Sequence, residues 1–204
     1  ITKLNKMHSE VFNKEVVRVN NLGNSSFHFA ATNQKSEGFL VMLCKMNSDT
    51  FHGEITRKNN EGLTALHIAA LYQSSEGFIA LLDKIDAARL NELLSIKNND
   101  DWTALDIAAQ YQSAEGFIAL LNNELPEKKH AFWTGIQIVA YGQRSDVVLS
   151  VLDKVSVVAI DNALINQTKQ KGMPLRNFSI YHGPAVLALL IEKASPKIIK
   201  KLFS

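Results

Sequence analysis

The sequence predicts an all-α solenoid of stacked helix-turn-helix units joined by extended inter-repeat segments. Three observations predict it. The 25 residues from Lys58, KNNEGLTALHIAALYQSSEGFIALL, return from Lys97 as KNNDDWTALDIAAQYQSAEGFIALL with six differences. A weaker copy in the same register runs through Gly23, Phe27, His28, Phe29, Ala30 and Ala31 to Ser36, Glu37, Gly38, Phe39, Leu40 and Leu43. The step is 39 residues both times, from Ala31 to Ala70 and from Ala70 to Ala109. Within each copy the apolar residues fall at helical spacing. A unit of this length is one supersecondary element that cannot bury its own apolar face, so it must stack on its neighbours.

Composition narrows the function classes. With 46% hydrophobic and 21% charged residues, the chain is ordinary globular material rather than a disordered segment. Its longest apolar run, Ala185 to Ile191, is far short of the roughly 20 residues a bilayer requires, so no transmembrane segment is expected. A net charge of +2 gives little steering toward nucleic acid, and none is expected as a partner. Cys44 stands alone, which leaves no intramolecular disulfide and favours a reducing, cytosolic environment. The opening ITKLNKMHSE has no apolar stretch of the kind a secretory signal needs and begins on Ile1, so it reads as a cut-out domain or processed product.

The elements follow in order. Residues 1–20, with Val11, Phe12, Val16 and Val17, are expected to form an N-terminal cap. In the second copy Thr64 is a good N-cap, and Leu66, Ala69 and Ala70 line one face of a short inner helix whose alanines allow close approach. An outer helix is expected to start near Ser75, capped by that hydroxyl, with Glu76 in its first turn and Phe78, Leu81 and Leu82 facing the core. Ser36, Ser145 and Ser195 precede Glu37, Asp146 and Pro196 in the same way. In the third copy Ala114 occupies this column, and Ser113 would cap one residue early. Beyond the outer helix, Ala87, Leu90, Leu93 and Leu94 have helical spacing and predict an added turn or a short third helix.

The run Gly62, Thr64, Ala65, Leu66, His67, Ala69, Ala70, followed by Phe78, Ile79, Leu81 and Leu82, resembles an ankyrin repeat, whose pattern is G-x-T-P-L-H-x-A-A and a second helix rich in Val and Leu. In the third copy Asp101 stands in the Gly column and Asp106 in the His column. The first copy has Ser25, Ser26 and Phe27 in place of T-P-L and keeps His28. Degenerate fourth and fifth copies run through Thr134, Gly135, Ile136 and Ala140 to Leu152, and through Gly183, Pro184 and Leu189 to Leu202. The resemblance thus implies a repeat domain over 21–204, with units near 21–58, 59–97, 98–128, 129–178 and 179–204. Units of the family are shorter, about 33 residues. The family's glycine between paired helices is replaced here by Gln34, Gln73 and Gln112, which suggests an inner helix one residue longer with a stiffer turn.

Nothing in the sequence points to chemistry. His8, His28, His52, His67, His130 and His182 are scattered, so no metal site is expected, and the resemblance implies instead that His28 and His67 bond within and between repeats, with Asp106 accepting a similar bond. Glycine-rich phosphate loops do not occur, and no cofactor is expected. Cys44 reads as a structural or surface thiol. Asp100 and Asp101 read as solvated turn residues, and the run Lys193, Lys197, Lys200, Lys201 as the solvated face of a terminal helix.

The resemblance implies a non-enzymatic module, monomeric, that binds a protein partner on the concave surface made by inner helices and hairpin tips. By column, the residue before the capping Thr is Leu63, Trp102 and Trp133. The end of the inner helix supplies Leu71 and Tyr72, then Tyr111, then Tyr141, and the tips supply Lys58, Asn60 and Glu61, then Lys97, Asn99 and Asp100. Aromatics ringed by polar groups are the composition of a binding hot spot. Irregular repeats rich in Asn and Lys also resemble those of effectors that intracellular bacteria deliver to host cells. The alternative is the targeting half of a larger enzyme, or a modifying activity completed by the irregular segment 155–178.

Overall fold

The computed structural model describes residues 7–33, 36–123, 145–154, 188–189 and 191–202. The chain divides into two compact units, Ile1–Leu125 and Pro126–Ser204. In the first, the described helices are α1 (Ser9–Val16), α2 (Ser26–Ala31), α3 (Ser36–Lys45), α4 (Ser48–Thr56), α5 (Ala65–Tyr72), α6 (Ser75–Asp83), α7 (Ala87–Leu93), α8 (Ala104–Tyr111) and α9 (Ala114–Asn123). Inner helices stack on inner helices, α2 on α5 and α5 on α8, while outer helices stack on outer helices, α3 on α6 and α6 on α9. The copies are therefore related by translation, as the all-α solenoid requires.

Each inner helix starts at a hydroxyl. Ser25, Thr64 and Thr103 accept a hydrogen bond from the third helical amide, at His28, His67 and Asp106, and the side chain at that position returns a bond to the capping residue's own amide. Such a box satisfies two of the amide donors that a helix start leaves orphaned. In α5 the residues Ala65 to Ala70 are all buried, not Leu66, Ala69 and Ala70 alone. Over Ala65 to Ala70 the helix is enclosed by a neighbour on either side and by an outer helix, which is why that stretch is apolar save for His67. Phe39, Phe78 and Phe117, each one step of 39 apart, are almost fully enclosed and run as a column through the outer layer. In the first repeat Phe27 stacks on Phe39 with ring centres 5.7 Å apart and meets Phe51 edge-on at 6.1 Å. Each such ring contributes about 1.5–3 kcal/mol through burial.

The outer helices differ from expectation by one residue at their start. Ser74, not Ser75, caps α6 by accepting from the Gly77 amide. Ser113 does the same for Gly116 in α9, so the two caps share one column and Ala114 breaks no pattern. Helix α7 confirms the expected third helix. Its counterpart α4 precedes it by one step, and Asn47 and Asp86, 39 apart, cap the two through the amides of Thr50 and Arg89. Leu90 and Leu93 are buried in α7, whereas Ala87 is exposed and Leu94 half-buried.

At the N-terminal side, α1 packs on α2. Phe12 and Val16 are buried there, and Val11 and Val17 face solvent. In the second unit, α10 (Ser145–Lys154) and α11 (Pro196–Leu202) are described. Pro196 takes the first helical position, which needs no amide donor, and Val147, Val148, Ala194 and Ile198 are buried. Lys193 pairs with Asp153 at 3.1 Å, while Lys197 and Lys200 are exposed.

Candidate functional site

Tips are built from asparagine. Asn59 Oδ1 accepts from the amides of Glu61 (3.0 Å) and Leu63 (2.9 Å), and Asn98 Oδ1 from those of Asp100 (3.0 Å) and Trp102 (2.8 Å); Asn20, a step earlier, accepts from Leu22 and Asn24. These side chains replace the backbone in holding a tight turn. The turn then needs a left-handed residue, supplied by Gly23 (φ 75°), Gly62 (φ 76°) and Asp101 (φ 65°). At Gly62 a second reason applies. A Cβ there would lie 2.6 Å from Asn99 Oδ1 and 3.0 Å from the Asn99 amide, because the third tip is laid against the second.

Successive tips are bonded together. Asn60 donates its amide to Leu22 O and its side chain to Asn21 O; one step on, Asn99 donates its amide to Glu61 O and its side chain to Asn60 O. Lys58 Nζ reaches Lys97 O at 3.0 Å, and Lys97 Nζ lies 3.4 Å from Asp101. Asn60, Asn99 and Lys58 are thus exposed but already engaged in joining tips, and Lys97 pairs within its own tip.

Beneath the tips, histidines join the repeats. His67 Nε2 faces Trp102 O at 3.3 Å, and its Nδ1 faces the Thr64 amide and hydroxyl; His28 repeats this with Arg57 O and Ser25. A carbonyl on one side and an amide on the other require the neutral ring with its proton on Nε2. Burial lowers His67 from 6.5 to about 4, against the opposing pull of the Trp102 and Ile96 carbonyls, and lowers His28 likewise. Asp106 keeps the local box, accepting from the Thr103 amide (2.7 Å) and hydroxyl (2.8 Å).

Gln73 and Gln112 overturn the expectation of a longer inner helix. Both take extended backbone and end it at Tyr72 and Tyr111. Their buried side chains reach back one repeat. Gln73 Nε2 donates to the carbonyls of Ala30 (3.1 Å), Ala31 (3.1 Å) and Asn33 (2.6 Å), and Gln112 Nε2 to those of Ala69 (3.2 Å) and Gln73 (3.0 Å). Carbonyls that a helix end leaves orphaned are met by the next repeat. Gly77 and Gly116 make room for these amides, since a Cβ at either would overlap the glutamine Oε1. Lys84 makes another such link, from α6 to the Leu43 and Met46 carbonyls at the end of α3, with its ammonium 5.1 Å from the Phe51 ring centre.

What remains for a partner is now visible. Tyr72, Trp102 and Tyr111 are 43%, 38% and 56% exposed, although each is anchored in a helix end or turn. Leu63 and Leu71 are half-buried, and Lys58, Glu61, Lys97 and Asp100 are exposed. Trp133 and Tyr141 lie outside the described residues. Exposed residues that escaped the sequence reading as site candidates include Val19, in the column of Lys58 and Lys97, Leu22, in the column of Glu61 and Asp100, and Phe29, in the column of buried Ile68 and Ile107. Phe29 follows α1 rather than another inner helix, and no periodic pattern reveals that. Cys44 is exposed. Among the described residues no group of three His, Cys, Asp or Glu could hold a metal, and no helix is long and apolar enough to cross a membrane.

A comparison with curated proteins returned no match. A family model of ankyrin repeats, in three copies, matches residues 27–131, just over half of the chain. Ankyrin repeats are generally protein–protein interaction modules. With its capped inner helices, stacked tips and translated helix pairs, this chain belongs to the ankyrin-repeat family.

Proposed function

We propose that the face formed by the tips and inner-helix ends of the second and third repeats binds a partner protein. The observation that carries this is the exposure of Tyr72, Trp102 and Tyr111 on backbone that is otherwise fixed by buried joints. Rigid aromatics with a polar tip bury large area at small entropic cost and dominate interface energetics. Glu61 and Asp100 supply a charged rim. No catalytic step is required of any of these residues, which supports a binding role rather than turnover.

Affinity capture from eukaryotic and bacterial lysates tests the proposal, with W102A/Y111A as the control. The wild-type chain should retain a protein that the double variant loses, with melting temperatures within a few degrees of each other. Equal capture by both would overturn it.

A further inference from the structure

The same face repeats, and its step and charge restrict what can lie on it. Tyr72 and Tyr111 occupy one column, Glu61 and Asp100 another, so both rims recur at the spacing of packed inner helices, about 10 Å. An α-helix advances about 10.5 Å in seven residues and returns almost to the same face. A β-strand covers that distance in about three residues, but then presents its opposite face.

Polyproline, with about three residues per turn and roughly 9 Å per turn, matches the step as well. Width separates the two. The acidic tips precede the inner helix and the tyrosines end it, and eight helical residues place about 12 Å between the rims. A helix with its side chains is about 10–12 Å across and reaches both rims; a single extended chain reaches one.

Charge gives the sign. Lys58 is held on the Lys97 carbonyl and Lys97 on Asp101, whereas Glu61 and Asp100 have no ion pair among the described residues. Helices α2 and α5 contain no Lys, Arg, Asp or Glu, and Asp106 of α8 is bound to Thr103. Lys97 is offset by Asp101, and Glu61 and Asp100 together outweigh the single Lys58, so the tips carry a net acidic charge. Over the first repeat Leu22, 62% exposed, replaces the acid, so there the tip is apolar.

We infer that the partner segment is a basic amphipathic helix with apolar residues every seven positions, laid across the repeats with its apolar side on Tyr72 and Tyr111 and a basic edge over Glu61 and Asp100, beside Trp102. This rests on the binding reading above. The aromatics supply affinity, and the exposed charges set polarity and on-rate.

Titration calorimetry of the 204-residue chain with four synthetic probes tests it: a helix-forming peptide with Leu every seventh residue and a Lys edge, the same helix with a Glu edge, a scrambled-period peptide of the first composition, and a proline-rich peptide. The basic heptad probe should bind most tightly and weaken as salt rises. E61K/D100K should cost it roughly tenfold in affinity and transfer preference to the Glu-edged probe. Y72A/Y111A should lose both. Equal binding of the scrambled, acidic or proline-rich probe, or no binding by the basic probe, overturns the helix. Should lysate capture still depend on Trp102 and Tyr111 in that event, the binding face stands and only its occupant was wrongly inferred.

Discussion

The second and third repeats share nineteen of twenty-five residues from their tips to their outer helices, and the six that differ fall into three groups. Ser75 and Ala114 follow a cap that Ser74 and Ser113 already provide, so the change is neutral. Glu61/Asp100, Leu63/Trp102 and Leu71/Gln110 lie on the columns proposed to face a partner. Gly62/Asp101 and His67/Asp106 lie where the second repeat holds the third. What stays constant builds the unit; what varies concerns its neighbours, covalent or not. The third repeat carries neither device by which the second grips its successor: Asp101 has a Cβ where Gly62 has none, and Asp106 accepts from Thr103 within its own repeat where His67 also reaches the Trp102 carbonyl.

The largest effect that would sharpen this contrast is at the glycine column. G62A should cost roughly 3 kcal/mol, from the left-handed backbone and the collision with Asn99, whereas D101G should stay within about 1 kcal/mol of wild type in urea unfolding. Marked stabilisation by D101G would show that Asp101 meets a neighbour as closely as an alanine at position 62 would.

Acid separates the histidine and aspartate columns. His67 has a folded value of about 4 against 6.5 for the free side chain, so the unfolded chain takes up its proton first. Stability is complete above pH 6.5 and falls as pH drops toward 4, by up to about 3 kcal/mol. H67D, which copies the third repeat, should be less stable at pH 7 and flatter across that window. Denaturant midpoints at several pH values check both.

Q112A should cost roughly 2 kcal/mol, since it withdraws a buried donor from the Ala69 and Gln73 carbonyls. Hydrogen exchange should quicken at the junction of α5 and α8 before elsewhere. The smallest effect belongs to W102A/Y111A, whose melting temperature should fall by only a few degrees, because both side chains are substantially exposed. Global unfolding would show that Trp102 is core and not contact.

Local features were legible in the sequence and distant ones were not. Thr64 and Thr103 identify their helices because a capping box is completed within four residues. The outer-helix cap is displaced by one because Ser74 and Ser75 look alike in a single copy; only Ala114 in the third favours Ser113 and hence Ser74. Gln73 was readable as a missing glycine but not as a staple, since its partners lie some 40 residues earlier. The tyrosine and tryptophan columns were visible as a pattern, yet the pattern could not tell Tyr72 at 43% exposure from half-buried Leu71 beside it.

The asparagine ladder of the tips has a consequence for how such a chain can lengthen. Asn60 contacts the turn before it as Asn99 does, so the tip seams on either side of the second module have matching asparagine donors and carbonyl acceptors. Duplicating that module in frame would create a seam of a kind the molecule already possesses. Duplicating the third would not, because Asp101 and Asp106 leave its forward edge without a socket or a donor. A unit inserted in the middle of the stack would thus meet bonding groups already in use on both of its sides.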